Sequence, residues 1–74
     1  MSRQELRAEI SGTIIEVAFS MGDMVGEGDT IVVMEAMKME ILAVAPCSGK
    51  VVEIRVKKDD VVGQDDLMAI IDPK

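Results

Sequence analysis

Residues 12–35 and 49–72 are two versions of one unit. "GTIIEVAFSMGDMVGEGDTIVVME" begins at Gly12 and "GKVVEIRVKKDDVVGQDDLMAIID" at Gly49, and they align without a gap across 24 positions at an offset of 37. Six positions are identical: Gly12/Gly49, Glu16/Glu53, Asp23/Asp60, Val25/Val62, Gly26/Gly63 and Asp29/Asp66. Apolar positions match as well, as in Ile14/Val51, Val17/Ile54, Ile31/Met68 and Val33/Ile70. Two such units, each with one apolar face, are not stable apart, because neither can bury that face alone.

Each unit reads the same way. A glycine opens a strand (Thr13–Phe19; Lys50–Val56), a polar turn follows, then a short apolar touch (Met24-Val25; Val61-Val62), a second turn and a second strand (Thr30–Glu35; Leu67–Asp72). Ten Val and eight Ile against three Leu favour pleated structure, since branching at Cβ restricts χ1. Several segments are continuous apolar runs, as expected for strands in a sandwich or barrel. Paired about a pseudo-twofold axis, the units cover each other. The expected fold is all-β: a flattened barrel or sandwich of two antiparallel sheets. The whole chain, 1–74, is expected to be a single domain. Residues 1–8 are expected to form a loosely ordered N-terminal tail, with strand character only at its end.

Composition excludes several functions. The net charge is −6 and there is no basic run, which argues against neutralising nucleic-acid phosphates. With no Tyr or Trp, base stacking is unsupported. The apolar runs are far shorter than the ~20 residues that span a bilayer. The opening "MSRQELRAE" has no apolar core and does not read as a secretory signal. There is no histidine, which removes the commonest general base and metal ligand. Cys47 is the single cysteine, so no disulfide framework exists; a lone thiol fits a reducing compartment, and a cytoplasmic location is expected. Cys47 follows Pro46 in a turn and has no visible activating base.

Between the two copies lies "IVVMEAMKMEILAV", residues 31–44. It reads as two strands joined by a very tight connection, with Met37-Lys38 where a hairpin favours Asn-Gly. A two-residue hairpin turn needs positive φ, and side chains such as Met in that conformation cost on the order of 1 kcal/mol or more. Tolerating this in a small domain implies that the side chains are wanted. An exposed lysine offers a long stem and an unhindered primary amine. Protonated, that amine is a poor nucleophile, so the tip cannot act alone; it suits an enzyme that brings an activated acyl group and a base. Met37 and Met39 add unbranched, polarizable surface that adapts to more than one partner. The other lysines, Lys50, Lys57, Lys58 and Lys74, read as solvated face or terminus.

The sequence "EAMKME" at 35–40 resembles the attachment motif of biotinyl domains, the biotin carboxyl carrier family, whose Ala-Met-Lys-Met core stands here as Ala36-Met37-Lys38-Met39. "GDMVGEGD" and "APCSG" match family patterns in their expected places, and the resemblance runs from about Glu9 to Asp72. It implies a flattened barrel of two four-stranded antiparallel sheets, with Lys38 receiving biotin from a biotin protein ligase through biotinyl-adenylate. It implies that Glu35, Ala36, Met37, Met39 and Glu40 form the recognition set around the site. The tethered biotin would gain CO2 at a biotin carboxylase and deliver it to a carboxyltransferase, so the chain would be a non-catalytic carrier of an acetyl-CoA or propionyl-CoA carboxylase-like enzyme. The initiating Met and compact limits lead to the expectation of a free-standing carrier. Family members often place a Pro two or three residues before the first glycine; here that region is Ala8-Glu9-Ile10-Ser11, whereas the second copy keeps Pro46. Some acetyl-CoA carboxylase carriers also insert a "thumb" loop early in the first unit. The ungapped alignment leaves no room for one and points to the thumbless type.

Three other readings compete. A lipoyl carrier domain of a 2-oxoacid dehydrogenase-type complex shares the expected fold and a tip lysine, but lipoyl tips usually read Asp-Lys-Ala. A methionine-rich copper(I) binder would draw on seven Met and Cys47, with Met21-x-x-Met24 as its best feature. Methionine more often fills gaps in small cores, and Met34 and Met68 stand at core strand positions. A structural adaptor with Lys38 unmodified is the third. Asp59-Asp60 and Asp65-Asp66 read as turn formers, since neither segment has calcium-loop spacing.

Overall fold

The computed structural model describes residues 3–73. It contains eight strands: β1 (Gln4–Arg7), β2 (Gly12–Val17), β3 (Met24–Val25), β4 (Thr30–Ala36), β5 (Met39–Val44), β6 (Gly49–Ile54), β7 (Val61–Val62) and β8 (Leu67–Pro73). They form two four-stranded sheets, ordered β1-β8-β6-β3 and β5-β4-β2-β7, and every pairing is antiparallel. Shifting each strand of the second sheet by the repeat offset reproduces the first sheet, with β5 mapping onto β1. The expected pseudo-twofold sandwich is therefore present in full.

The same twofold governs the core. The buried cluster is Ala8, Ile14, Val25, Ile31, Val32, Met34, Ala45, Val51, Val62, Met68, Ala69 and Ile71. These residues fall into six twofold pairs, such as Ile14/Val51, Ile31/Met68 and Met34/Ile71. Two pairs, Ala8/Ala45 and Val25/Val62, are identical, and in the other four the side chains differ in shape. Burying a side chain of this size contributes about 1.5–3 kcal/mol. A β-bulge falls between Ile14 and Glu16 where β2 meets β4, and again between Val51 and Glu53 where β6 meets β8.

Turn chemistry repeats too. The Gly26 and Gly63 N–H groups donate to Asp29 Oδ2 (2.8 Å) and Asp66 Oδ2 (2.7 Å). The Ser20 and Lys57 N–H groups donate to Asp23 Oδ2 (2.9 Å) and Asp60 Oδ2 (3.0 Å). These bonds explain the four aspartates of the repeat: each closes a turn on its own backbone. Gly22 (φ 95°) and Gly28 (φ 89°) have twofold mates in Asp59 (φ 76°) and Asp65 (φ 72°), so the second copy holds aspartate where the first uses glycine. Gly12 has a different reason. A Cβ there would stand 2.5 Å from the Glu35 carbonyl oxygen, and at Gly49 it would meet the Asp72 carbonyl still closer.

Two expectations need correction. Of the tail assigned to residues 1–8, Met1 and Ser2 lie outside the described residues, but Gln4–Arg7 form strand β1, paired with β8. The twofold requires it: β8 needs the neighbour that β5 gives β4. The Ala8 N–H donates to the Asp66 carbonyl, and the Arg7 guanidinium donates to the Asp65 carbonyl (2.7 Å), which ties the segment down. Second, β2 and β6 begin one residue earlier than expected and end two residues earlier, because Ala18 and Arg55 leave the ladder while still bonding to the Ile31 and Met68 carbonyls. Residues 39–44 form the edge strand β5, as the two-strand reading of 31–44 expects, and β5 holds the place in its sheet that β1 holds in the other.

Candidate functional site

The site is built by β4 and β5. Their register runs Met34↔Ile41, Glu35↔Glu40, Ala36↔Met39, leaving Met37 and Lys38 as the whole connection. Both have positive φ, 54° and 64°. Positive φ at both central positions defines a type I′ turn, whose twist matches that of the flanking strands. The conformation asks for Asn-Gly and receives Met-Lys, at a cost of about 1–2 kcal/mol for each L-residue held left-handed. The tight turn expected from sequence is present.

Strands below the tip anchor it. Ala36 is buried, and Met34 beneath it is 1% exposed. Register and close packing thus fix the base of the hairpin, while its apex stands free. Met37 is 81% exposed and Met39 61%. Lys38, Glu35 and Glu40 are exposed as well. Among the described residues the ion pairs are Arg7–Glu5 and Arg55–Glu53, and Lys38 joins neither. Glu35 and Glu40 face each other across the strands one step below the turn. Two like charges so placed repel.

The expected site residues, Glu35, Ala36, Met37, Lys38, Met39 and Glu40, are thus gathered into a single hairpin end. Five are exposed, and Ala36 is the buried member. Sequence reasoning did not single out Leu42 and Val44. Both are exposed on β5, 57% and 41%, and they continue apolar surface away from the tip. Their signal was weak, because a run such as Ile41–Val44 does not reveal which members face outward. Lys50, Lys57 and Lys58 are exposed as expected, whereas Lys74 lies outside the described residues. Met34 and Met68 are core residues and Met21 and Met24 are exposed, so the described methionines are divided between core and surface.

The chemistry this arrangement permits is narrow. An amide-linked group needs a primary amine with open approach, and the Lys38 stem on a two-residue turn supplies it. A cleft of about 110 Å³ lies between the edge strands β1 and β5, lined by Leu6, Ile41, Ala43 and Met68 among others. Two further, more open clefts, of about 660 and 320 Å³, are lined by residues 15–17 with 56–58 and by Arg55, Val56 and residues 60–62 with Asp66 and Leu67. None of the three is lined by a residue of the tip, 35–40.

Comparison with known proteins agrees with this geometry. The family model described as "Biotin-requiring enzyme" matches residues 4–71. A biotinylated protein TB7.3 homolog of Mycolicibacterium smegmatis is 56% identical over 69 residues, covering 93% of this chain and 97% of that one. Among solved structures, a single-chain, multi-domain long-chain acyl-CoA carboxylase superposes with a TM-score of 0.90 at 35% identity over 97% of this chain. The Kluyveromyces lactis urea carboxylase superposes with a TM-score of 0.89 at 37% identity over 96%. The chain spans only 7% and 6% of those two carboxylase chains. From the repeat, the sandwich, the lysine-tipped hairpin and these matches together, the chain belongs to the biotin-attachment (biotinyl) domain family.

Proposed function

We propose that this chain is a biotin carboxyl carrier, with biotin joined in amide linkage to Lys38. The observation that carries the reading is the type I′ turn of Met37 and Lys38, which spends conformational energy to present one amine between two exposed thioethers. When bound, the group supplies a ureido nitrogen that takes up and releases CO2. Everything else is done by the chain's own residues. The β4–β5 ladder holds the tip at a fixed place. The Lys38 stem gives reach, and amide formation removes its charge, so the arm can enter apolar sites. Met37, Met39, Ala36, Glu35 and Glu40 form the surface that a biotin protein ligase would read. As the amide forms, the Lys38 nitrogen, protonated when free, gives up two protons in all and AMP leaves the biotinyl-adenylate.

The proposed partners are that ligase, a biotin carboxylase and a carboxyltransferase. The chain is the non-catalytic component, in the cytoplasm, of an acyl-CoA carboxylase of the acetyl-CoA or propionyl-CoA type. The turns after β2 and β6 are equal in length, so the first unit carries no thumb, which favours the propionyl-CoA side of this choice over thumb-bearing acetyl-CoA carboxylase carriers. A long-chain acyl-CoA carboxylase contains a closely superposing domain, and so does a urea carboxylase, which stands behind as the next substrate class. Co-expression with a biotin protein ligase and streptavidin blotting tests attachment: the wild type should stain and Lys38→Ala should not. Equal staining of both, or of neither, would remove the proposal. Loading with CO2 by purified biotin carboxylase, ATP and bicarbonate, followed by transfer to each acyl-CoA in the presence of a carboxyltransferase, tests the finer assignment.

A further inference from the structure

The six described methionines fall into two classes. Met34 and Met68 are 1% and 0% exposed, sealed in the core. Met21, Met24, Met37 and Met39 are 64%, 52%, 81% and 61% exposed. Two of the exposed set flank Lys38 directly, and Met37 is more exposed than any of the others. A thioether open to solvent is oxidised readily to a sulfoxide, which is polar where the thioether was apolar, and reductases specific for each epimer reverse the change.

We propose that oxidation of Met37 and Met39 by two-electron oxidants such as hydrogen peroxide is a reversible switch on biotin attachment at Lys38. The inference rests on the attachment reading above. The sulfur lone pair takes one peroxide oxygen, the O–O bond breaks, and the hydrogen on the transferred oxygen passes as a proton to the departing hydroxide, which leaves as water. The thioether is oxidised to sulfoxide and the peroxide is reduced. Geometry makes the event local. Strands β4 and β5 fix the turn, so neither tip side chain can retreat into the core, and each sulfoxide stands where the ligase must dock. The fold is spared because the oxidant does not reach Met34 or Met68. The two apolar anchors beside the lysine then become strong hydrogen-bond acceptors, which a surface shaped for thioethers leaves unpaired.

The test begins with peroxide treatment of the whole chain. Peptide mass spectrometry should place sulfoxide on Met21, Met24, Met37 and Met39 and leave Met34 and Met68 unmodified. Initial rates are then measured with a bacterial biotin protein ligase, ATP and biotin. The untreated chain should accept biotin at Lys38. The oxidised chain should show a drop of about tenfold or more in kcat/KM, with an unchanged circular-dichroism spectrum, and methionine sulfoxide reductases A and B should restore the rate. A Met21→Leu/Met24→Leu variant should respond as the wild type does. A Met37→Leu/Met39→Leu variant should keep its own starting rate after peroxide; should that variant be a poor substrate, reductase rescue of the wild type decides. Equal rates before and after oxidation, or a loss that follows Met21 and Met24, overturns the switch alone. An untreated chain that accepts no biotin overturns the attachment reading itself.

Discussion

Replacing Met37-Lys38 by Asn-Gly should stabilise the domain while abolishing its proposed task. Both residues are held at positive φ, 54° and 64°. Each left-handed L-residue costs about 1–2 kcal/mol. Glycine recovers that cost, less about 0.5–1 kcal/mol for its greater freedom in the unfolded chain, and asparagine recovers part of it. Little packing is lost in exchange, because Met37 is 81% exposed and Lys38 is exposed. The net gain is about 1.5 kcal/mol. In a domain of this size each kcal/mol moves the melting temperature by about 4–8 °C, so Tm should rise by about 10 °C. Urea unfolding followed by circular dichroism should show a higher midpoint at constant m. Lys38→Gly alone should deliver roughly half the effect. A Tm that stays put or falls would mean that the turn is not strained. The argument that this tip is kept for its side chains would then lose its premise.

Other consequences follow from the twofold. Gly49→Ala should destabilise strongly, by about 2–3 kcal/mol, because its new Cβ meets only backbone, the Asp72 carbonyl and the Pro73 Cα. Gly12→Ala should cost less, since one of its neighbours is the movable Met34 Cε; equal losses in chemical denaturation would refute this ranking. Asp59→Gly and Asp65→Gly replace left-handed aspartates with the residue their mates Gly22 and Gly28 already use, and each should raise stability by about 0.5–1 kcal/mol. A loss at either position would show that the aspartate side chain contributes there after all.

Much of this was legible in the sequence because the repeat is ungapped. An offset that survives across every turn fixes turn lengths as well as strands, and two equal halves leave few ways to bury their faces. The hairpin was legible for a different reason: Met37-Lys38 violates the rule for tight turns, and such violations mark sites where side chains outweigh stability. What escaped was the part of the unit without strong apolar pattern. Gln4–Arg7 is polar where its twofold mate Ile41–Val44 is apolar, so β1 did not look like a strand. The signal lay just beyond it, in Ala8-Glu9-Ile10-Ser11-Gly12 against Ala45-Pro46-Cys47-Ser48-Gly49. Ser11 and Ser48 even make equivalent bonds, accepting from the Gln64 and Glu27 N–H groups at 3.3 and 3.1 Å. The bulges after Ile14 and Val51 were hidden because an apolar run such as Ile14-Ile15 does not report where a ladder skips. Outward-facing Leu42 and Val44 were hidden for the same reason.

Peptide mapping by mass spectrometry, on chain recovered from a host that supplies biotin and a ligase, tests the central claim most directly. The account predicts one biotinyl group per chain, carried on the peptide that contains Lys38 and on no other. A biotinyl group on Lys50, Lys57 or Lys58, or an unmodified Lys38 beside an active ligase, would contradict it.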